Sequence, residues 1–279
     1  MRIHGLYFFL GLISFLIFTL DAKAGQVLDR ITSTKTMTAA YAPGWPPVAY
    51  LDDKNELVGF DVDVGKEIAK RLGATMKPIT VAWEFIESGR WGNRWDIAIG
   101  SMTPTMARAE VLDFPGIYWY SPASFAVHKN NKTIHQLNDL NGKTIGVCGG
   151  CSTEDFLNNK LQFANYGDTK PNLTIKPGLI KSYDSEGAYF DDLKLGDGKR
   201  LDAILSNLPT LLESVKTQPF RIIEQPAFYE PLAVALDKGD KELSDKVKQI
   251  ITDMHQDGTL TALSKKWFNG KDWSVVGTK

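Results

Sequence analysis

Residues 95–108 read WDIAIGSMTPTMAR, and the fold can be worked out from this stretch. Trp95 to Ile99 is a short apolar run of the kind a buried strand presents, and hydroxyls, a proline and an arginine follow at once. Thr103 before Pro104 predicts a helix N-cap with proline at the first helical position. Strand-end hydroxyls, free helix-start amides and Arg108 can converge on one anion. A planar guanidinium gives a carboxylate two parallel charge-assisted bonds, and the helix N-terminus adds a favourable field. The plainer alternative is an ordinary capped helix whose Arg108 pairs on the surface with Glu110 or Asp113.

Working outward, strand-like and helix-like patterns alternate. Thr36 to Tyr41 reads as a strand, Pro43 to Pro47 as a rigid loop, and Asp53-Lys54-Asn55 as a hairpin turn. Between Phe60 and Leu72, apolar Phe60, Val64, Ile68 and Leu72 recur every four residues among charges, an amphipathic helix closed by Gly73. Met76 to Val81 reads as another buried strand, and Lys143 to Val147, Leu173 to Lys176, Leu201 to Leu205 and Leu232 to Leu236 read as further strands. Glu242 to His255 and Leu260 to Phe268 read as helices. Such alternation predicts largely parallel sheets covered by helices. Breaks at Ser121-Pro122 and near Gln225-Pro226 divide the chain into two sheets, and two α/β lobes joined by two crossings would hold a ligand cleft between them. A second strand-to-helix turn, Ile145 to Ser152, is rich in glycine. Ser152 there is placed to cap, and Asp155 completes a box-like pattern.

The chain has 279 residues, 43% hydrophobic and 23% charged, with a formal net charge of -1. These values exclude disorder and coiled coil, and they argue against a phosphate-tracking nucleic-acid binder, which carries a basic excess. Arg2, the apolar run Leu6 to Leu20 and Ala22-Lys23-Ala24 form a secretory signal peptide over residues 1–24, cut before Gly25. The run is shorter than the roughly 20 residues of a membrane-spanning helix. No cysteine follows the cut, so no lipid anchor is expected.

Gly59-Phe60-Asp61-Val62-Asp63, Trp95 to Gly100 and the Ser-Met-Thr-Pro-Thr-x-x-Arg run ending at Arg108 resemble the periplasmic amino-acid-binding proteins of ABC importers, solute-binding protein family 3. Leu112-Asp113-Phe114, Asn141 to Val147, Arg200 to Ala203 and Asp257 to Leu260 follow in the family's order, so the likeness spans the whole mature chain. The resemblance implies a type II periplasmic-binding-protein fold of two lobes, each a mostly parallel sheet flanked by helices. Residues 25–121 with 223–279 would form one lobe and 122–222 the other, joined by two hinge crossings. It implies a monomeric periplasmic receptor without cofactor or metal that closes over an amino-acid-like carboxylate and delivers it to an inner-membrane ABC permease. Arg108 would clamp the ligand carboxylate, with Gly100, Ser101 and Thr103 beside it and Ser152 and Cys151 opposite. Trp45 and Trp83 would sandwich the ligand side chain.

Two departures stand out. Asn207 stands where the family usually holds the ligand ammonium with an aspartate, so either another acid replaces it or the ligand lacks an ordinary α-amino group. Ala42 stands where binders of basic amino acids carry an aspartate, with Glu84 and Glu87 near enough in sequence to substitute. Cys148 and Cys151 form a C-x-x-C that reads as a disulfide, a free thiol pair or a redox or metal site. His128, His135 and His255 lack metal spacing, and Asp61 and Asp63 lack the closing glutamate of a calcium loop. The rivals are therefore an exported enzyme resembling cyclohexadienyl dehydratase, with Glu84, Glu87 or Asp96 as acid or base, and a thiol oxidoreductase.

Overall fold

The computed structural model describes residues 26–164 and 171–275, so the expected signal peptide and its cleavage point lie outside the described residues. In chain order come α1 (Gln26–Thr34), β1 (Thr36–Tyr41), β2 (Tyr50–Leu51), β3 (Leu57–Val58), α2 (Phe60–Arg71), β4 (Thr75–Thr80) and α3 (Trp83–Glu87). Next are β5 (Ile97–Met102), α4 (Met106–Ala109), β6 (Leu112–Asp113), β7 (Ile117–His128), β8 (Thr144–Cys148), α5 (Ser152–Leu157) and β9 (Leu179–Tyr183). The chain ends with α6 (Glu186–Lys194), β10 (Ala203–Asn207), α7 (Leu208–Thr217), β11 (Phe220–Ile222), β12 (Phe228–Asp237), α8 (Lys241–Gln256) and α9 (Thr259–Trp267).

Local chemistry accounts for the elements the sequence announces. Phe60, Val64 and Ile68 put one face of α2 fully into the core. Gly73, at φ 70°, turns the chain out of that helix, and the Ala74 N–H closes back on Ala69 O at 2.9 Å. β2 and β3 pair antiparallel around Asp53-Lys54-Asn55, the hairpin the turn chemistry predicts. In α8, Leu243, Val247, Ile250, Ile251 and Met254 face inward, and the Asp240 carboxylate caps the helix by accepting from Leu243 N at 2.9 Å.

The sheet runs β4-β1-β5-β12-β7-β10-β8-β9 as one path instead of two separate sheets. β4, β1 and β5 are parallel, as are β10, β8 and β9. The long strands β7 and β12 pair antiparallel between the two trios and belong to both. Pro122, read as an interruption, lies inside β7 because β10 stops at the Asn207–Ala123 pair. Beyond that pair β7 has no ladder partner on the β10 side for a missing N–H to disrupt.

Each half has its own core. Phe60, Trp119, Phe268 and Trp273 cluster in one, with Phe268 at ring-centroid distances of 4.9 Å from Phe60 and 5.0 Å from Trp119. Phe125, Val147, Leu205 and Phe228 share the other, where Phe156 and Phe228 approach to 4.4 Å. Ile223 and Phe228 pack in this second core although they follow the break at residue 222.

Several expectations are corrected. Leu173 to Lys176 is not a strand: its backbone is tied to the preceding loop through Lys176 N to Asn141 Oδ1 (2.7 Å) and Gly142 N to Lys176 O (2.8 Å). The strand pairing with β8 is Leu179–Tyr183 instead. β4, expected to be buried, is an outer strand with largely exposed side chains. β5 begins at Ile97, since Asp96 turns its carboxylate onto Thr38 N and Arg30. The sequence patterns do not announce helices α1, α3, α6 and α7, and Trp83 is the first residue of α3.

Phe268 anchors the C-terminal segment to the first core, so Phe268→Ala leaves a cavity that its rigid aromatic neighbours cannot fill. A loss of about 3–5 kcal/mol is expected, read as a lower urea midpoint at unchanged slope. A loss below about 1 kcal/mol would show that the cluster repacks.

Candidate functional site

At the carboxyl ends of β5 and β10 the two halves face each other across a cleft enclosing about 670 Å³ of open space, solvent at its mouth included. All nine residues singled out in the sequence line it. Trp45, Trp83, Gly100, Ser101, Thr103 and Arg108 come from one half, and Cys151, Ser152 and Asn207 from the other.

The helix behind Arg108 starts two residues later than expected. Its N-cap is Thr105 and not Thr103: Thr105 Oγ1 accepts from Arg108 N at 3.2 Å. Thr103 stays outside the helix, and its hydroxyl caps nothing there. Arg108 is buried at 8% exposure and pairs with neither Glu110 nor Asp113. Its guanidinium donates to Thr103 O (3.1 Å), Glu87 Oε2 (3.1 Å) and Gly150 O (2.8 Å), and its centre lies 5.1 Å from the Trp83 ring centroid. Gly150 belongs to the β8–α5 turn, so the side chain reaches from one half into the other.

That turn is built differently from the predicted capping box. Cys151 occupies the N-cap, bonded to Cys148 through an S–S bond of 2.02 Å, and Ser152 is the first residue of α5. Glu154, and not Asp155, holds the turn by accepting Gly150 N–H at 2.8 Å. The Ser152 hydroxyl is thereby left free to face inward.

What gathers these groups is a residue the sequence reading missed. Glu230, on β12, is 1% exposed. Its Oε2 accepts from Thr103 Oγ1 and Ser152 Oγ, each at 2.5 Å, and its Oε1 from Asn207 Nδ2 at 3.0 Å. Burial pushes the Glu230 carboxyl above the usual range, against these donors and the charge of Arg108. The one available signal was a glutamate leading directly into the apolar run Leu232 to Leu236.

Asp61 was missed as well. It lines the cleft, but both oxygens are occupied: Ser101 Oγ donates to Oδ2 at 2.9 Å and Tyr118 OH to Oδ1 at 2.7 Å. Ser101 holds this geometry at φ 48°, unusual for a side-chain-bearing residue. Burial pushes Asp61 up to about 7. Behind the second half, Glu186 is likewise pushed up to about 7 by burial, and it accepts from Ser206 Oγ (2.5 Å) and Tyr189 OH (2.7 Å).

The acids weighed as substitutes or catalysts stand elsewhere. Glu84 is exposed, Glu87 is engaged by Arg108, and Asp96 sits at the opposite end of β5. Among the described residues no cluster of three or more His, Cys, Asp or Glu side chains could hold a metal ion, and no helix is long and apolar enough to cross a membrane. Among the described residues the cleft therefore offers the guanidinium of Arg108, the carboxyls of Asp61 and Glu230, several hydroxyls and the indoles of Trp45, Trp83 and Trp119.

The sequence profile of the bacterial extracellular solute-binding proteins, family 3, matches residues 37–270. The L-cystine-binding protein TcyJ of Escherichia coli is 31% identical over 247 residues, covering 87% of this chain and 86% of that protein. Among solved structures, an ancestral amino-acid-binding protein described as a precursor of cyclohexadienyl dehydratase superposes with a TM-score of 0.73 at 26% identity, covering 86% of this chain and 99% of that one. A mutant of the T. maritima protein ArgBP gives a TM-score of 0.72 at 26% identity, covering 87% and 99%.

Asp61 and Glu186 make stability depend on pH with a definite sign. Carboxyls of this kind ionise near pH 4 in the unfolded chain. Between there and about 7 the folded protein keeps protons that the unfolded chain has released. Their contribution is whole below about pH 4 and is lost as pH rises through about 7. In urea unfolding without ligand, Asp61→Asn should flatten the fall in stability between pH 5 and 7 by up to about 1.4 kcal/mol per pH unit. The same slope in wild type, Asp61→Asn and Glu186→Gln would contradict this account.

Proposed function

The chain belongs to the bacterial extracellular solute-binding proteins of family 3, and from that premise we propose that it is a periplasmic receptor that captures an amino acid between its two halves and hands it to an inner-membrane ABC permease. The observation that carries this reading is Arg108: a guanidinium buried at the cleft wall and fixed by contacts from both halves. Two of its five N–H groups are uncommitted among the described residues, since Thr103 O, Glu87 and Gly150 O take three. A ligand carboxylate takes a single bond from either of them, and a two-bond fork once Glu87 or Gly150 O yields its Nη2 hydrogen. Trp45 and Trp83 supply flat walls for the ligand's side chain, and Ser152 brings the second half to the same point.

Closure follows from the same arrangement. One lobe comprises 25–121 with the C-terminal segment and the other starts at 122. The packing of Ile223 and Phe228 in the second core favours a return crossing near Tyr229, later than the sequence break. β7 and β12 then serve as the hinge. A ligand that touches both lobes only when they are shut shifts the population toward the closed form by its differential affinity. The receptor acts as a monomer and needs no cofactor. Binding is favoured over catalysis because Glu84 and Asp96 lie away from the cleft and Glu87 is neutralised by Arg108.

A thermal-shift screen of the twenty L-amino acids, L-cystine and small carboxylates should raise the melting temperature for at least one amino acid, since a tight ligand stabilises by mass action. Arg108→Ala should then weaken calorimetric affinity by about 2–5 kcal/mol. Full affinity in that variant would remove Arg108 from the site. Turnover of prephenate or arogenate would replace the receptor reading with an enzymatic one.

A further inference from the structure

We infer that the Cys148–Cys151 disulfide is a redox-sensitive positioning element of the cleft: intact, it holds the β8–α5 turn in the shape that meets the opposite half, and opened by a dithiol it lowers ligand affinity. The inference rests on the receptor reading above and concerns when the cleft is competent to bind, not what it binds.

The bridge joins two different environments. Cys148 ends β8, is 5% exposed and packs with Tyr189 and Leu193 inside the second half. Cys151 is half-buried, stands at the N-cap of α5 and lines the cleft. It makes no side-chain capping bond to the helix, so the sulfur bridge occupies the place that a capping hydroxyl would fill. Between the two cysteines stand Gly149 and Gly150, the residue type with the most backbone freedom to lose, and Gly150 takes φ 71°. Gly149 N donates to Tyr183 O at 2.9 Å and Gly150 N to the Glu154 carboxylate at 2.8 Å, while Cys151 N reaches Cys148 O only at 3.4 Å. A covalent link across so glycine-rich a turn removes most of the shapes it could otherwise take.

The residues flanking Cys151 are the ones that reach the other half. Gly150 O accepts from Arg108 Nη2 at 2.8 Å, and Ser152 Oγ donates to Glu230 Oε2 at 2.5 Å. Gly150 also lies so near Glu87 that a Cβ built on it would stand 2.7 Å from the carboxylate. A displacement of about 1 Å carries such bonds beyond hydrogen-bonding range. The bridge therefore governs two contacts across the cleft at once.

Its position also sets how it opens. A small thiol entering the cleft meets Cys151 first, with Cys148 behind it. One thiolate of a dithiol attacks Cys151 Sγ, the S–S bond breaks and Cys148 leaves as a thiolate. The second thiol of the reagent then attacks the mixed disulfide and releases Cys151. The reagent ends as its cyclic disulfide, and its two electrons and two protons end on the two cysteine thiols. Disulfides persist in the oxidising compartments of exported proteins, so a periplasmic receptor works with the bridge intact and loses affinity where thiols accumulate.

The test uses the amino acid free of thiol and disulfide that gives the largest shift in the screen. Calorimetric affinity of the oxidised protein should exceed that of the dithiothreitol-reduced protein by at least about tenfold, and re-oxidation should restore it. Coupling is reciprocal, so saturating ligand should move the dithiothreitol midpoint of the cysteine pair toward the disulfide by the same factor, about 30 mV more negative for tenfold. The variant Cys148→Ala/Cys151→Ser gives α5 an ordinary serine cap and is assayed without reductant. It should bind any hit of the screen, L-cystine included, at least about tenfold more weakly than wild type. Wild-type affinity in this variant, equal affinity of oxidised and reduced protein, or a midpoint unmoved by ligand overturns the inference while leaving the receptor reading intact. Loss of the cooperative melting transition on reduction would make the bridge a staple of the fold and overturns it as well. A wild type that binds no member of the panel overturns both.

Discussion

The antiparallel pairing of β7 and β12 is the constraint on which the rest of the molecule depends. Its register sets Glu230 opposite Ser121 and Phe228 opposite Ala123, while the far side of β7 sets Ala123 opposite Asn207. Those pairings bring Ser121, Asn207 and Glu230 to one place, at the point where the sheet passes from one half to the other. The parallel trios on either side then deliver Thr103 from the end of β5 and Ser152 from the turn after β8. A slip of one residue would reverse every side chain on the moving strand. The apolar faces of Leu232, Val234 and Leu236, all buried in the first core, forbid that slip. Hydrophobic packing thus sets the position of a polar group it does not touch.

Much of this was legible in the sequence because much of it is local. β1 falls at Thr36 to Tyr41, where the pattern puts it, and α2 follows a four-residue apolar repeat ended by a left-handed glycine. Gly100, Ser101, Thr103, Arg108 and Ser152 could be named in advance because strand ends, turns and caps leave short-range marks, whereas Trp45, Trp83, Cys151 and Asn207 were legible only through the likeness to the family. The helix start at Thr105 shows the limit of such marks. Thr103-Pro104 and Thr105-Met106 both resemble a cap, and Thr105 takes the role while the Thr103 hydroxyl is committed to Glu230, a partner far away in the chain. Glu230 left almost no mark, since its partners lie 127, 78 and 23 residues away in the chain. Only the strand register shows that a glutamate amid apolar neighbours faces a cleft.

The cleft's electrostatics come from burying acids on two different terms. Asp61 and Glu186 are each surrounded by hydroxyl donors with no cation at hand, so desolvation dominates and both are pushed up to about 7. They act as hydrogen-bonding parts of their walls, holding Ser101 and Tyr118 on one side and Tyr189 and Ser206 on the other. Arg108 and Glu87 form the opposite case, a pair in which the guanidinium partly offsets the cost of burying the acid. Glu230 lies between these extremes. It is buried as deeply as Asp61, yet it feels a through-space attraction to Arg108.

That intermediate state has a consequence for how the halves come together. Hydroxyls from both sides, Thr103 and Ser152, meet on a single carboxylate oxygen, so Glu230 ties the two halves together. With no ligand present, the same burial that brings the hydroxyls in also strips water from an anion lacking a paired cation, and the two effects oppose each other.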